Sequence, residues 1–279
     1  VFILNKLFWI DGRIVNEKES GIDRTDLGLI RGYGVFDFFR TYGKTPFHFD
    51  EHFDRFILSA KTVDLEIPYS KETIYSAVLS LINLHPAENL GIKMYLTAGK
   101  SDDAFFHQGN CSFWIVVAPL SFLAFDQAIQ LKTVPITREI PTAKTLNYMQ
   151  ASIYANRFKR LGYDDIIYLD QNKLLESSTS NLFFIQKNRL ITANANILEG
   201  ITRKVVLELA QSQFEIELRE VLLEELPLMD ECFVTSTTKE ICPVNRIDDC
   251  MFQSNHPNSK TLMLKKIFQE EATKILQLH

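Results

Sequence analysis

Cysteine is scarce in this chain. There are four, Cys111, Cys232, Cys242 and Cys250, and no two form a C-x-x-C pair. A disulfide scaffold or a zinc ribbon needs closer and more regular pairing, so the four read as reduced thiols in a cytoplasmic protein, mostly filling a core. An excess of one charge sign is missing too: 30 basic residues stand against 35 acidic ones, for a net charge of −5. Such a surface offers no footprint for nucleic acid or for an anionic membrane, while a local basic pocket for a small anion stays open. Long hydrophobic runs are absent. The longest charge-free apolar stretch, residues 111–125, is interrupted by Pro119 and is too short to span a bilayer. No basic region precedes the apolar residues of the first six positions, which argues against a signal peptide. No internal repeat stands out. The six histidines are scattered. His48 and His52 have i, i+4 spacing, but a helix is expected only from Asp50, so the rings would not share a face and no metal site is expected.

What is present is a globular composition, 46% hydrophobic and 23% charged. At roughly 150 residues per domain, 279 residues suit two domains. The pattern breaks around residues 119–127, which divides the chain into 1–120 and 121–279. In the first part, residues 2–10 and 13–15 flank Asp11-Gly12 as a hairpin. Residues 34–42 read as an aromatic strand turning through Tyr42-Gly43-Lys44. Asp50 reads as the N-cap of a helix carrying Phe53, Phe56, Ile57 and Ala60, and Ser70 as the cap of a second helix. Strands follow at 92–97 and 112–118. In the second part a strand at 128–135 precedes a helix over 145–161, ended by Gly162. Short strands come at 165–169, 173–176, 181–185, 189–192, 214–218 and 231–235. Helices are expected at 202–211 and from Ser259, the last with Leu264, Ile267, Phe268 and Ile275 on one face. The class is α+β.

Four short segments carry chemistry. Glu199-Gly200-Ile201-Thr202-Arg203 opens a helix, whose N-terminal N–H groups and dipole suit a phosphate; the plain alternative is a threonine N-cap. Thr235-Ser236-Thr237-Thr238 ends a strand and offers a second hydroxyl cradle, or simply a polar loop. Glu176-Ser177-Ser178-Thr179-Ser180-Asn181 puts a carboxylate where it could pair with a cationic ring nitrogen, or form a solvated turn. Lys144 lies between strand and helix with few charges nearby, a setting that lowers an amine pKa and permits a Schiff base; most lysines are surface groups.

Taken in order these segments resemble the class IV, fold type IV, pyridoxal-phosphate enzymes: branched-chain aminotransferases, D-amino-acid aminotransferases and aminodeoxychorismate lyases. The resemblance is carried by Gly32-Tyr33-Gly34-Val35-Phe36-Asp37, His52-Phe53-Asp54-Arg55, Lys144-Thr145-Leu146-Asn147-Tyr148, Gly162-Tyr163-Asp164-Asp165, Glu176 to Asn181, Gly200 to Arg203 and Thr235 to Val244. It implies a two-domain fold with an N-terminal α/β sandwich and a C-terminal pseudo-barrel, and a homodimer. It implies that Lys144 bonds pyridoxal 5'-phosphate and moves the substrate proton, and that Glu176 keeps the pyridine nitrogen protonated. By the same resemblance Arg55, Ile201, Thr202 and Thr237 hold the phosphate, and Ser178, Thr179, Ser180, Asn181 and Tyr148 line the cofactor. Relatives often carry a carboxylate-binding arginine where this chain has Ala98, so Arg31, Arg40 and Arg138 become candidates for that contact, with Phe36 and Thr238 beside the substrate. The implied reaction moves an amino group between an amino acid, of D or branched-chain type, and a 2-oxo acid. The alternatives are a lyase that releases pyruvate and a catalytically silent cofactor-binding protein.

Overall fold

The computed structural model describes residues 6–120 and 127–274 and divides into two compact units. The expectations for residues 2–5, for the stretch 121–126 and for Ile275 lie outside the described residues.

The first unit holds residues up to 120 and also Ala143–Asn147. Its elements are β1 (Leu7–Ile10), β2 (Arg13–Asn16), α1 (Leu27–Arg31), β3 (Gly34–Tyr42), β4 (Thr45–Pro46), α2 (Phe49–Thr62), α3 (Lys71–Leu84), β5 (Leu90–Thr97) and β6 (Ser112–Pro119). The strands form one antiparallel sheet in the order β2-β1-β6-β5-β3-β4. Side chains alternate between its faces. Val35, Phe39, Ile92, Met94, Ile115 and Val117 enter the core with Phe53, Phe56, Ile74, Val78 and Leu81 of α2 and α3. Ser70 caps α3 as expected, accepting from Thr73 N. The start of α2 differs. The cap is His48, at φ 50 and without a side-chain cap bond, and Asp50 lies inside the first turn, where its charge still favours the helix N-terminus.

Ala143–Asn147 departs further from expectation. Helix was expected from Thr145, but Phe36 N donates to Lys144 O at 2.9 Å and Leu146 N donates to Gly34 O at 3.0 Å. Thr145 bridges Val35, and Lys144 N donates to Ser59 Oγ at 3.0 Å. Backbone groups bonded to β3 cannot also close helical turns. The helix therefore starts only at Met149.

The second unit holds residues 127–142 and 148–273. Its elements are β7 (Ile129–Val134), α4 (Met149–Lys159), β8 (Asp165–Asp170), β9 (Lys173–Ser177), β10 (Asn181–Gln186), β11 (Arg189–Thr192), α5 (Ile201–Ala210), β12 (Glu215–Leu218), β13 (Val221–Leu222), a 3-10 turn (Leu223–Leu228), β14 (Glu231–Ser236), β15 (Glu240–Ile247), β16 (Cys250–Met251) and α6 (Lys260–Lys274). The sheet runs β12-β11-β10-β14-β15-β7-β8-β9-β13, and one further pairing, Asn181 with Glu176, joins β10 to β9. That pair closes a six-stranded ring, a pseudo-barrel filled by Leu131, Ile167, Leu182, Phe184, Val234 and Val244. Cys232 and Cys242 are buried while Cys111 and Cys250 are half-buried, and all four thiols are free. Burial pushes the Cys242 thiol up to about 11. No helix among the described residues is long and apolar enough to cross a membrane.

Candidate active site

In the first unit the pairing of residues 144–146 with β3 fixes Lys144 on the sheet, and its Nζ stands 4.7 Å from the centre of the Phe36 ring. Next along β3 is Asp37, fully buried between Phe36 and Phe38 in the sequence. Arg55 reaches it with a two-toothed contact, Nε to Oδ2 at 2.8 Å and Nη2 to Oδ1 at 2.9 Å. His52 Nδ1 lies 2.7 Å from Oδ1. Burial pushes the Asp37 carboxyl up, but Arg55 and His52 beside it outweigh that and hold it well below the usual range. Burial pushes the His52 imidazole down against the pull of Asp37. Asp37 thus orients Arg55, because a planar guanidinium held by two parallel bonds has one orientation.

In the second unit Glu176 is buried at the pair that closes the barrel, so it does not form the solvated turn. Arg138 Nη1 donates to its Oε1 at 3.2 Å, and Asn181 Nδ2 and Leu198 N each donate to its Oε2 at 3.1 Å. Arg138 Nη1 also donates to Pro141 O at 2.9 Å. Three donors, one of them cationic, favour the ionised carboxylate. Tyr168 is buried close to Arg138, Glu176 and Tyr148, and burial pushes its phenol up. Tyr148 stands at the N-cap of α4 without a side-chain cap bond.

Helix α5 begins one residue before the expected start. Its cap is Gly200 rather than Thr202, and no side chain caps it. Ile201 and Thr202 are buried in the first turn. A Cβ on Gly200 would lie 2.1 Å from Asn181 Oδ1, so the bare backbone lets the chain close over the barrel pair. Around this point lie buried polar atoms with no hydrogen-bond partner among the described residues: Ser177 Oγ, Thr235 Oγ1 and Arg203 Nε. Thr235 stands opposite Asn181 in the sheet. Orphaned buried donors of this kind are costly, and a polar ligand relieves them.

The remaining expected residues fall as follows. Ser178 Oγ donates to Asp165 Oδ1 at 2.5 Å. Thr179 Oγ1 and Ser180 Oγ accept from Lys239 Nζ at 3.1 and 3.2 Å. Thr238 Oγ1 lies 3.4 Å from Ser236 Oγ, and Thr237 is half-buried on the same turn. Of the arginines, Arg31 is exposed with Nη1 donating to Ile30 O, Arg40 is buried over the Tyr42 ring at 4.2 Å, and Arg138 is engaged by Glu176. Sequence reasoning did not single out Asp37 and His52 as the support of Arg55, nor Tyr168, Arg203 or Lys239. For Asp37 a signal existed, since a lone carboxylate in Val35-Phe36-Asp37-Phe38-Phe39 must find a partner once the strand is buried.

Known proteins are similar to this chain in sequence and in fold. The family model described as Amino-transferase class IV matches residues 34–247, a span that includes Asp37, Arg55, Lys144, Glu176, Thr202 and Thr237. A Methanocaldococcus jannaschii protein assigned as a branched-chain-amino-acid aminotransferase is 30% identical, over 95% of this chain and 96% of its own. The D-alanine aminotransferase of Listeria innocua is 28% identical over 94% of each chain. The branched-chain aminotransferase of Thermoproteus uzoniensis, solved with norvaline, superposes with a TM-score of 0.89 at 26% identity, over 97% of this chain and 96% of that one. A T.th. branched-chain amino acid aminotransferase solved with pyridoxamine 5'-phosphate gives 0.87 at 26% identity, over 96% and 94%. A model that runs from the first residue of β3 to the last of β15, with relatives matched almost end to end, leaves one conclusion: the chain belongs to the class IV amino-transferase family.

Proposed function

We propose that this class IV aminotransferase uses pyridoxal 5'-phosphate to take the amino group of an amino acid with a large apolar side chain and pass it to a 2-oxo acid. The residues present fit the cofactor. The buried Glu176 carboxylate suits a protonated pyridine nitrogen. The uncapped start of α5 at Ile201 and Thr202, the orphaned Thr235 hydroxyl and Thr237 suit a phosphate. Arg55, oriented by Asp37, adds the cation that a dianion calls for. Ser178, Thr179, Ser180, Asn181 and Tyr148 belong to the same reading as lining residues. Bound, the cofactor supplies an electron sink for the substrate Cα–H bond.

The chain's own groups do the rest. Lys144 would hold the cofactor through its amine, and the same amine would serve as the base that takes the proton from the substrate Cα. Its pairing to β3 holds that amine in place through both half-reactions. Glu176, kept ionised by Arg138, Asn181 and the Leu198 N–H, holds the proton on the ring nitrogen.

The apolar preference rests on one observation, a row of aromatic side chains that runs from Lys144 across the sheet. Phe36 stacks on Tyr95 at 5.8 Å and Tyr95 on Trp114 at 5.2 Å, each pair directly opposite in register. On this face lies a cavity of about 620 Å³ lined by Phe8, Phe38, Lys93, Tyr95, Trp114 and Leu146 among others, a size and lining that suit a small apolar ligand. Lys93 stands among these rings, 5.6 Å from the centre of Phe38, and suits a 2-oxo acid with a second carboxylate as acceptor. The homodimer and the cytoplasmic location implied by the resemblance belong to the same proposal, the first checked by light scattering. The functional test is a screen of D- and L-amino acids with 2-oxoglutarate on protein loaded with pyridoxal phosphate. Large apolar donors of one hand are expected to react best, and Lys144→Ala to lose both transfer and the visible absorption of the lysine-bound cofactor. A wild type that takes up no pyridoxal phosphate would refute the reading.

A further inference from the structure

We propose that Ser59 is a positioning residue that ties Lys144 to Arg55 through α2, so that one helix face holds the groups for both ends of the cofactor, its aldehyde and its phosphate. The inference rests on the aminotransferase reading above and adds a residue to it.

His52, Arg55 and Ser59 follow one another at spacings of three and four residues and so share a face of α2. His52 and Arg55 meet Asp37 of β3, at 2.7 and 2.8 Å. Ser59 is fully buried, and its Oγ accepts from Lys144 N at 3.0 Å. In a regular antiparallel pair two residues exchange both backbone bonds. Here Phe36 N donates to Lys144 O at 2.9 Å, while Lys144 N donates to the helix. The lysine backbone is thus held by the sheet on one side and by α2 on the other. Together the bonds close a ring. Arg55 grips Asp37, β3 runs one residue back to Phe36, Phe36 holds Lys144, and Lys144 holds Ser59. One helical turn, about 6 Å, returns to Arg55. Phe53, Phe56 and Ala60 of the same helix are buried in the core, which resists any sliding of α2. Lys144 cannot shift against Arg55 without breaking a member of this ring.

The coupling has a chemical use. Arg55 answers the phosphate. The Lys144 amine adds to the aldehyde carbon, a C=N bond forms, and the carbonyl oxygen leaves as water. With the phosphate held at one point of the ring and the amine at another, the second contact forms within one assembly and gains in effective concentration. That gain exists only for a ligand that carries both ends.

The test titrates cofactor-free wild type, Ser59→Ala and Ser59→Thr with three probes: pyridoxal 5'-phosphate, pyridoxal, which lacks the phosphate, and 4-deoxypyridoxine 5'-phosphate, which lacks the aldehyde. Visible absorption reads attachment to the lysine, and calorimetry reads the third probe. Losing the acceptor of a buried N–H predicts a Kd of Ser59→Ala for pyridoxal 5'-phosphate raised about 10- to 100-fold, with the other two probes within about twofold of wild type. Ser59→Thr keeps the hydroxyl and should recover most of the loss. Thermal unfolding of the cofactor-free variants checks that each is folded, and Ser59→Ala, which removes one oxygen, decides by itself if the threonine variant is not. A pyridoxal 5'-phosphate Kd within about twofold of wild type would overturn the proposal. A loss shared equally by pyridoxal would overturn it too, since Ser59 would then support the lysine alone, and so would a loss shared by 4-deoxypyridoxine 5'-phosphate. A wild type that binds none of the probes sinks the cofactor reading and this inference together. A wild type that binds pyridoxal 5'-phosphate but transfers no amino group counts against the aminotransferase reading alone, and the titrations still decide Ser59.

Discussion

Gly200→Ala is the sharpest single test of how the barrel pair and α5 fit together. Gly200 has φ −70 and ψ 135, a conformation alanine adopts freely, so the backbone resists nothing. By itself the change should stabilise by about 0.4–1 kcal/mol through the unfolded chain, less a few tenths for a poorer cap. The structure predicts the opposite sign. The new Cβ lies 2.1 Å from Asn181 Oδ1, so Asn181 must swing away. Its Nδ2 then loses the bonds to Glu176 Oε2 at 3.1 Å and Leu198 O at 2.8 Å. One bond to a charged group and one neutral bond sum to about 3 kcal/mol, leaving a net loss of about 2 kcal/mol. For a chain of this size that lowers Tm by roughly 6 °C. The measurement is thermal unfolding of cofactor-free protein, repeated in an Asn181→Ala background. In that background the collision is gone, and Gly200→Ala should cost nothing. An unchanged or raised Tm for the single variant, or an equal loss in both backgrounds, would refute the argument that the glycine exists to admit Asn181.

Arg138→Met distinguishes two roles. If Arg138 pins Glu176, removing it strands a buried carboxylate, lowers stability by about 3 kcal/mol and weakens pyridoxal phosphate binding; a raised amino acid KM with cofactor binding intact would instead make it the substrate clamp. Asp37→Asn should loosen Arg55 and speed cofactor loss on dialysis. The pH dependence follows from the lowered Asp37 carboxyl: its contribution to stability is full above the unfolded value near pH 4 and fades as pH falls toward the folded one. Acid unfolding of wild type should therefore be steeper than that of Asp37→Asn, and superimposable acid curves would count against the pairing.

Much of the fold was legible because period and turn chemistry agreed. The strands from β8 to β12 and β14, the Ser70 cap and the Gly162 terminator answer to local rules, whereas β15 (Glu240–Ile247), with Pro243 in its middle, was not expected as a strand. The stretch from Lys144 to Leu146 did not, because its backbone bonds go to Phe36 and Gly34, more than a hundred residues away, and no local pattern reports a partner at that distance. The same holds at the site. Lys144, Glu176 and the start of α5 could be named because their residue types suit the chemistry. What holds them could not be named, because Asp37 with Arg55, Arg138 with Glu176 and Lys239 with Thr179 are pairs made by topology. Of these, Arg138 teaches most. The missing arginine at position 98 suggested a substrate contact, yet Arg138 stands against a buried carboxylate that needs it more. Arg138 Nη1 already donates both to Glu176 Oε1 and to Pro141 O, so removing it from Glu176 would strand a buried carboxylate.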